Sequence, residues 1–378
     1  MPPDWAADAA ISLPGLTLLP GLFNVHVHLG VRLPPLTRRQ DPYSPGFRTL
    51  LNYRRALEAL HGGATTLRAI GDPYYSDIDV RDAINRGLLP GPRLVVSGHA
   101  LTPLGGHGCQ NVSCLEANGA DGFRQAAREQ LRAGADFLKL CLTNGVPAPD
   151  HEPVIDASAA EIEAAVDVAR AAGKMVAAHV GGSRAILEAL RLGVRSIEHG
   201  FSFDRSAAAA MADAGAFLVP TLCYTLETAY MRQVGAPEAF TSHLDRVAER
   251  HLESTRLAID SGVTVCSGTD ILPSDQVSGT VATIREIEHL VTAGLRPLHA
   301  IQAATLNSAR LCGVEQVTGT LQTGKAADVI AVAGRPDEDI AALREVRLVV
   351  RGGQVVRSDI PAIQPGSAAL AGGLAARF

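Results

Sequence analysis

Hydrophobic and polar positions along the chain alternate between two periods. Short runs rich in β-branched and apolar residues, the texture of strands buried on both faces, recur between longer stretches whose apolar positions repeat at helical spacing. Eight runs are predicted as strands: 22–29 (LFNVHVHL), 64–70 (ATTLRAI), 93–97 (RLVVS), 136–142 (DFLKLCL), 174–180 (KMVAAHV), 194–199 (VRSIEH), 216–222 (AFLVPTL) and 263–269 (VTVCSGT). Helical patterns such as FRTLLNYRRALEALHGG, GFRQAAREQLRAGA, SAAEIEAAVDVARAAGK and SRAILEALRLG lie between them. Several stop at a glycine just before the next strand, where a helix C-cap glycine is expected. Strands alternating with helices make a parallel sheet, and eight such units within residues 21–312 predict an α/β fold, a closed (β/α)8 TIM barrel. The competing open, doubly wound sheet is disfavoured: no Gly-x-Gly-x-x-Gly opens the first helix, and the chemically interesting residues gather at the C-terminal ends of many strands.

Beyond the eighth strand two further helices are predicted, over 281–293 and 297–311. The texture then changes to GTLQTGKAADVIAVAG and VRLVVRGGQVVRS, short strands with glycine turns that cannot hide an apolar face alone. Their expected partner is AISLPGLTLLPG near the N-terminus, so that 1–20 and 313–356 form a small composite β-sandwich domain with a short N-terminal part. Residues 357–378, rich in alanine and glycine, are expected to be a flexible tail.

Charge narrows the function. Thirty-four Lys+Arg against 39 Asp+Glu give a net charge of −5, which is no footprint for nucleic acid. With 47% hydrophobic and 19% charged residues the chain is too apolar for disorder, and no apolar run approaches the roughly 18 residues of a membrane span. The opening MPPDWAADAA is acidic and has no apolar stretch behind it, so no secretory signal is read and a cytoplasmic location is expected. The six cysteines lie scattered, without a Cys-x-x-Cys pair, and read as reduced, packed thiols.

His26 and His28 sit two apart on the first strand and so share a face. His179 ends the fifth strand, His199 ends the sixth and Asp270 follows the eighth, at the rim where barrel active sites are built. One such histidine is usually a core residue; four with an aspartate at successive strand ends are hard to explain by packing and read as a metal shell for zinc, iron, nickel or manganese. Lys139 lies inside the fourth strand among apolar residues. A buried ammonium is expensive, so this lysine is paired, neutral or chemically altered, or its stem packs while its head snorkels outward. Beside two metals, its neutral amine can take up carbon dioxide and become a carbamate whose two oxygens bridge both cations.

The runs LLPGLFNVHVHLG, ADFLKL, AAHV, SIEHG, SGTD and GTLQTGKAADVIAV resemble the metal-dependent amidohydrolase superfamily from residue 16 to about 355. The resemblance implies one metal held by His26, His28 and Asp270, a second held by His179 and His199, and carbamylated Lys139 between them, with zinc the expected metal. The finer motifs GPRLVVSGHALTPLGGHG, GVRSIEHGFSFD, FLVPTL and AGLRPLHAIQAATLNSARLCG look like the branch of Xaa-Pro dipeptidases and Xaa-Arg carboxypeptidases, related to imidazolonepropionases. One departure is Asn24, where the family usually has aspartate; it is not a ligand, so metal binding should survive.

Two cations about 3.5 to 4 Å apart lower the pKa of a shared water, which makes hydroxide the expected nucleophile and Asp270 the natural base. For substrate contacts the candidates are His107, in the glycine-rich loop after the third strand, and Tyr224, just past the seventh; matching residues of the related peptidases resemble a clamp on the substrate's carbonyl and carboxylate. Each also has a bland reading, His107 stiffening a loop and Tyr224 packing. Arg68, near the end of the second strand, either holds a carboxylate bidentately or satisfies the barrel mouth. Cys141 and Cys266 read as small core residues, since a metal site leaves a thiol no task. The expected partner is a small N-acyl amino acid or dipeptide, and a homo-oligomer is expected. A cyclic-amide, imidazolone or lactone hydrolase, a deaminase, or an inactive scaffold are the alternatives.

Overall fold

The computed structural model describes residues 11–31, 41–147, 151–271, 282–361, 363 and 365. The tail expected to be flexible lies mostly outside these residues, as does the opening segment. The strands, in chain order, are β1 (Leu16–Pro20), β2 (Leu22–Val27), β3 (Ala64–Ala69), β4 (Arg93–Val96), β5 (Ala100–Pro103), β6 (Cys114–Ala117), β7 (Leu138–Cys141), β8 (Val176–Val180), β9 (Ser196–His199), β10 (Phe217–Val219), β11 (Thr264–Val265), β12 (Val329–Ala333), β13 (Val346–Arg351) and β14 (Gln354–Ser358).

Every run expected as a strand contains one, and the predicted helices separate them, at Pro45–His61, Gly119–Ala133, Ala159–Ala171 and Ser183–Leu192. Local chemistry sets their ends. Ser158 and Glu161 form a reciprocal capping box at the start of Ala159–Ala171. Gly134 and Gly193 close their helices in the left-handed conformation, φ 107° and 105°, which a residue without a Cβ adopts at little cost.

Parallel pairing gives a seven-stranded sheet, β11-β10-β9-β8-β7-β5-β6, and a three-stranded sheet, β2-β3-β4. This is an α/β architecture consistent with a TIM barrel, but the ladder is not one closed ring. Single backbone bonds cross the two seams: Asp136 N–H donates to Val96 O at 2.7 Å, Val25 N–H to Ser267 O at 2.9 Å, and Asp270 N–H to His26 O at 3.0 Å. The eighth strand is shorter than expected, and just beyond it Gly268 lies so close to β2 that a Cβ there would be 2.7 Å from the His26 backbone nitrogen. Strands β5 and β6 were not anticipated. They fill the long connection after β4, and β5 joins β7 through a single pair, Leu101 and Leu140.

The terminal β unit is one antiparallel sheet, β1-β12-β13-β14, among the described residues, instead of the expected sandwich of two sheets. Barrel helices take the place of the second sheet: Ile330, Val332 and Val349 pack with Leu60, Ile287 and Leu290. The other face, with Ala331, Leu348 and Val350, is covered by Ile11, Leu13 and Ile363. The helix expected over 281–293 runs Thr283–Thr292, and that over 297–311 has a π turn at Ala303–Asn307 between Pro297–Gln302 and Ser308–Leu311. No described helix is long and apolar enough to cross a membrane. All six cysteines are free; Cys109 and Cys312 are partly exposed and the other four buried.

Candidate metal centre

Parallel strands deliver their C-terminal residues to one end of the sheet, and here those residues converge. His26, His28, Lys139, His179, His199 and Asp270 line a single cavity of about 730 Å³, together with His107 and Tyr224. Imidazole ring centres lie 5.4 Å apart for His26 and His28, 4.9 Å for His26 and His199, and 4.5 Å for His179 and His199. Ligand atoms of His26, His199 and Asp270 all fall within 4.8 Å of one another.

Hydrogen bonds fix which ring nitrogen faces the centre. His28 Nδ1 meets the Gly71 carbonyl at 2.9 Å and His26 Nδ1 meets Glu198 Oε2 at 2.7 Å, so both acceptors draw the ring proton to Nδ1. Nε2 of each ring then points at Asp270 Oδ1, at 3.4 Å from His26 and 3.2 Å from His28. His179 Nε2 bonds the Gly145 carbonyl at 3.3 Å, leaving Nδ1 for the cavity, and His199 Nδ1 lies 2.8 Å from the Thr221 hydroxyl.

Burial presses the His26 pKa down to about 4, helped by Lys139, and it holds His179 and His199 far below the ordinary histidine value. Burial also acts downward on His28, but the hydrogen bond and charge of Asp270 outweigh it and raise that ring. Asp270 itself is pushed up by burial, yet His26 and His28 win and hold it low. A neutral His26 therefore turns a lone pair toward a carboxylate oxygen, an acceptor facing an acceptor. A cation between them resolves the conflict, so the donor set fits a divalent metal. Lys139 is driven down by burial, against the pull of Glu198, Cys141 and Asp270, which favours the neutral amine that carbamylation needs.

The backbone is strained at three of these positions. His199, Thr221 and Asp270 adopt φ of 69°, 57° and 49°, the left-handed region that non-glycine residues rarely occupy.

His107 stacks on His179 with ring centres 4.2 Å apart, and burial with Lys139 lowers its pKa to about 4, so it is neutral at ordinary pH. Tyr224 is raised by burial and by Asp270, so its phenol stays protonated and can donate. Arg68 corrects the expectation. It is 2% exposed, lines no part of the cavity, and bonds Val25 O, Ser196 Oγ and Glu198 Oε1 beneath the site instead of standing at the mouth. Glu198 and Thr221 were missed; Glu198 lies inside the run SIEHG and Thr221 inside FLVPTL, but nothing in the sequence says that they contact the ligands. Asn24 ties the site to its surroundings: its Nδ2 donates to the Thr269 and Thr283 hydroxyls at 3.0 and 3.1 Å, and its Oδ1 accepts from Thr269 N–H at 3.1 Å.

Residues 17–356 match the Amidohydrolase family. The chain is 30% identical to ochratoxinase of Aspergillus niger over 92% of this chain and 77% of the relative. Among solved structures, a Xaa-Pro dipeptidase with methionine bound in its active site superimposes with a TM-score of 0.80 at 30% identity, covering 91% of this chain and 87% of that one. A prolidase complexed with N-methylphosphonate-L-proline gives 0.81 at 29% identity, over 93% and 91%.

Proposed function

This chain belongs to the amidohydrolase family, and we propose that it is a metal-dependent hydrolase that cleaves the amide bond of a small N-acyl amino acid or dipeptide. The observation that carries this reading is the Asp270 carboxylate, held 3.4 and 3.2 Å from the Nε2 atoms of His26 and His28 at the wall of a cavity that also presents His107 and Tyr224. His26, His28 and Asp270 would hold one divalent ion, His179 and His199 a second, with Lys139 as a carbamate between them. When bound, the ions supply Lewis acidity and make water a nucleophile near neutral pH.

The chain's own residues do the rest. Asp270, kept ionised beside two histidines, accepts the proton of the attacking water as its oxygen joins the substrate carbonyl carbon. It returns that proton to the nitrogen as the C–N bond breaks. His107 and Tyr224 offer donors to the substrate's carbonyl oxygen and carboxylate. The names of the relatives, ochratoxinase and Xaa-Pro dipeptidase, support amide hydrolysis without fixing the substrate.

One observation keeps the alternative of a cyclic amide or lactone open. With Arg68 drawn below, Lys139 is the sole lysine or arginine among the described residues lining the cavity, so a carboxylate clamp built from His107 and Tyr224 is made of neutral donors. Hydrogen bonds to a charged group contribute about 1.5–3 kcal/mol, so a free acid should react about 10- to 100-fold faster than its amide. Assaying Xaa-Pro, Xaa-Arg and N-acyl amino acids beside their C-terminal amides tests the proposal. Equal rates on acid and amide would remove the clamp, and hydrolysis of lactones or cyclic imides alone would favour the alternative. His107→Ala and Tyr224→Phe are expected to raise KM or lower kcat on the acid without changing metal content, which separates substrate contacts from ligands.

A further inference from the structure

Behind His26, on the side away from Asp270, a second carboxylate is held where no substrate can reach it. Glu198 is fully buried and lies outside the cavity lining. Its Oε2 accepts a hydrogen bond from His26 Nδ1 at 2.7 Å; its Oε1 accepts from Arg68 Nη2 at 2.7 Å and from the Ser196 hydroxyl. Arg68 is in turn held by further contacts. Its Nε donates to Val25 O at 2.6 Å, its Nη1 to Ser196 Oγ at 3.1 Å, and its guanidinium carbon lies 5.1 Å from the centre of the Phe137 ring. The three linked residues stand on β2, β3 and β9, so the chain of bonds spans the interior of the fold beneath the cavity.

A buried ion pair is a weak source of stability, because desolvation offsets its attraction and apolar replacements are often as stable. What this pair does supply is orientation. A carboxylate that can only accept forces His26 to carry its proton on Nδ1, and a guanidinium bonded to two strands stops that carboxylate from turning away.

We propose that Glu198 and Arg68 are positioning residues, a brace that locks the His26 tautomer and ring direction and thereby sets the affinity of the cation site formed by His26, His28 and Asp270. The inference rests on the metal reading of those three residues. Partners of this kind, where they have been removed from metal-bound histidines, change metal affinity by about 10- to 100-fold.

The test uses the full-length protein, stripped of metal and titrated with zinc against a chromogenic chelator, with folding followed by circular dichroism. Glu198→Gln is expected to weaken one zinc site about 10- to 100-fold and leave the other unchanged. Arg68→Lys, which keeps the charge but loses the fork, should weaken the same site less, and the double variant should be no worse than Glu198→Gln alone because the two act in series. Side-chain 15N spectra of the zinc-free protein should show His26 protonated at Nδ1 in the wild type and a mixture of tautomers in Glu198→Gln. Should Glu198→Gln fail to fold, Arg68→Lys carries the same two measurements. Unchanged zinc affinity with an unchanged tautomer in folded variants overturns the brace. A wild type that binds neither zinc nor, in parallel titrations, iron, nickel or manganese overturns the metal reading instead, and the His26 tautomer then decides the brace by itself.

Discussion

Asp270→Asn is expected to fold normally, keep much of its metal and turn over about 100- to 10,000-fold more slowly, the usual worth of a positioned general acid or base. The amide retains an oxygen that can face His26 and His28, but it cannot take a proton from water. Folding should be spared for a backbone reason: Asp270 sits at φ 49°, and asparagine is among the residues that tolerate the left-handed region best. Loss of kcat with an unchanged melting temperature and near-normal metal content is the expected set of measurements. Near-normal turnover would mean that another group handles the proton.

Lys139→Ala should remove at least one of two metal ions per chain. Lys139 lies on β7 with its side chain in the cavity wall, buried, and its ammonium is disfavoured by that burial. As a carbamate it would supply two oxygens between the cations, and alanine supplies none. The remaining histidines would then have to hold the second ion with two nitrogens, fewer protein ligands than catalytic zinc ordinarily keeps. Elemental analysis of purified protein checks this directly, with activity falling in step. Full occupancy of both sites in the variant would show that Lys139 is no bridge.

How far the sequence could be read depended on whether a residue's role followed from its place on a strand. His179 stands one residue from the end of its strand and His199 ends its own, and in a parallel sheet strand ends meet, so their convergence with His26, His28 and Asp270 is legible in the sequence. Arg68 was not. It is the penultimate residue of β3, and strand position alone does not say whether so long a side chain reaches up to the rim or inward to a buried acid. Glu198 supplied that acid, and its importance is invisible in sequence because the contact with His26 spans 172 positions. Strands β5 and β6 were missed for a different reason: each is four residues long, too short to display a period. Among the described residues a single sheet stands where a sandwich is expected, because sequence shows that a β unit needs a covering, not which surface provides it.

The left-handed backbone at His199, Thr221 and Asp270 bears on what random substitution would do to this gene. Each such residue costs of order 1–3 kcal/mol relative to glycine, so glycine at any of the three should make the empty protein more stable. Drift under a demand for stability alone would therefore erode the ligands early, since the mutations that empty the site are also mutations that strengthen the fold. A chain retained merely as a scaffold has no force opposing that slope; the histidine and aspartate at these two strained ligand positions are what turnover, acting against stability, would hold in place.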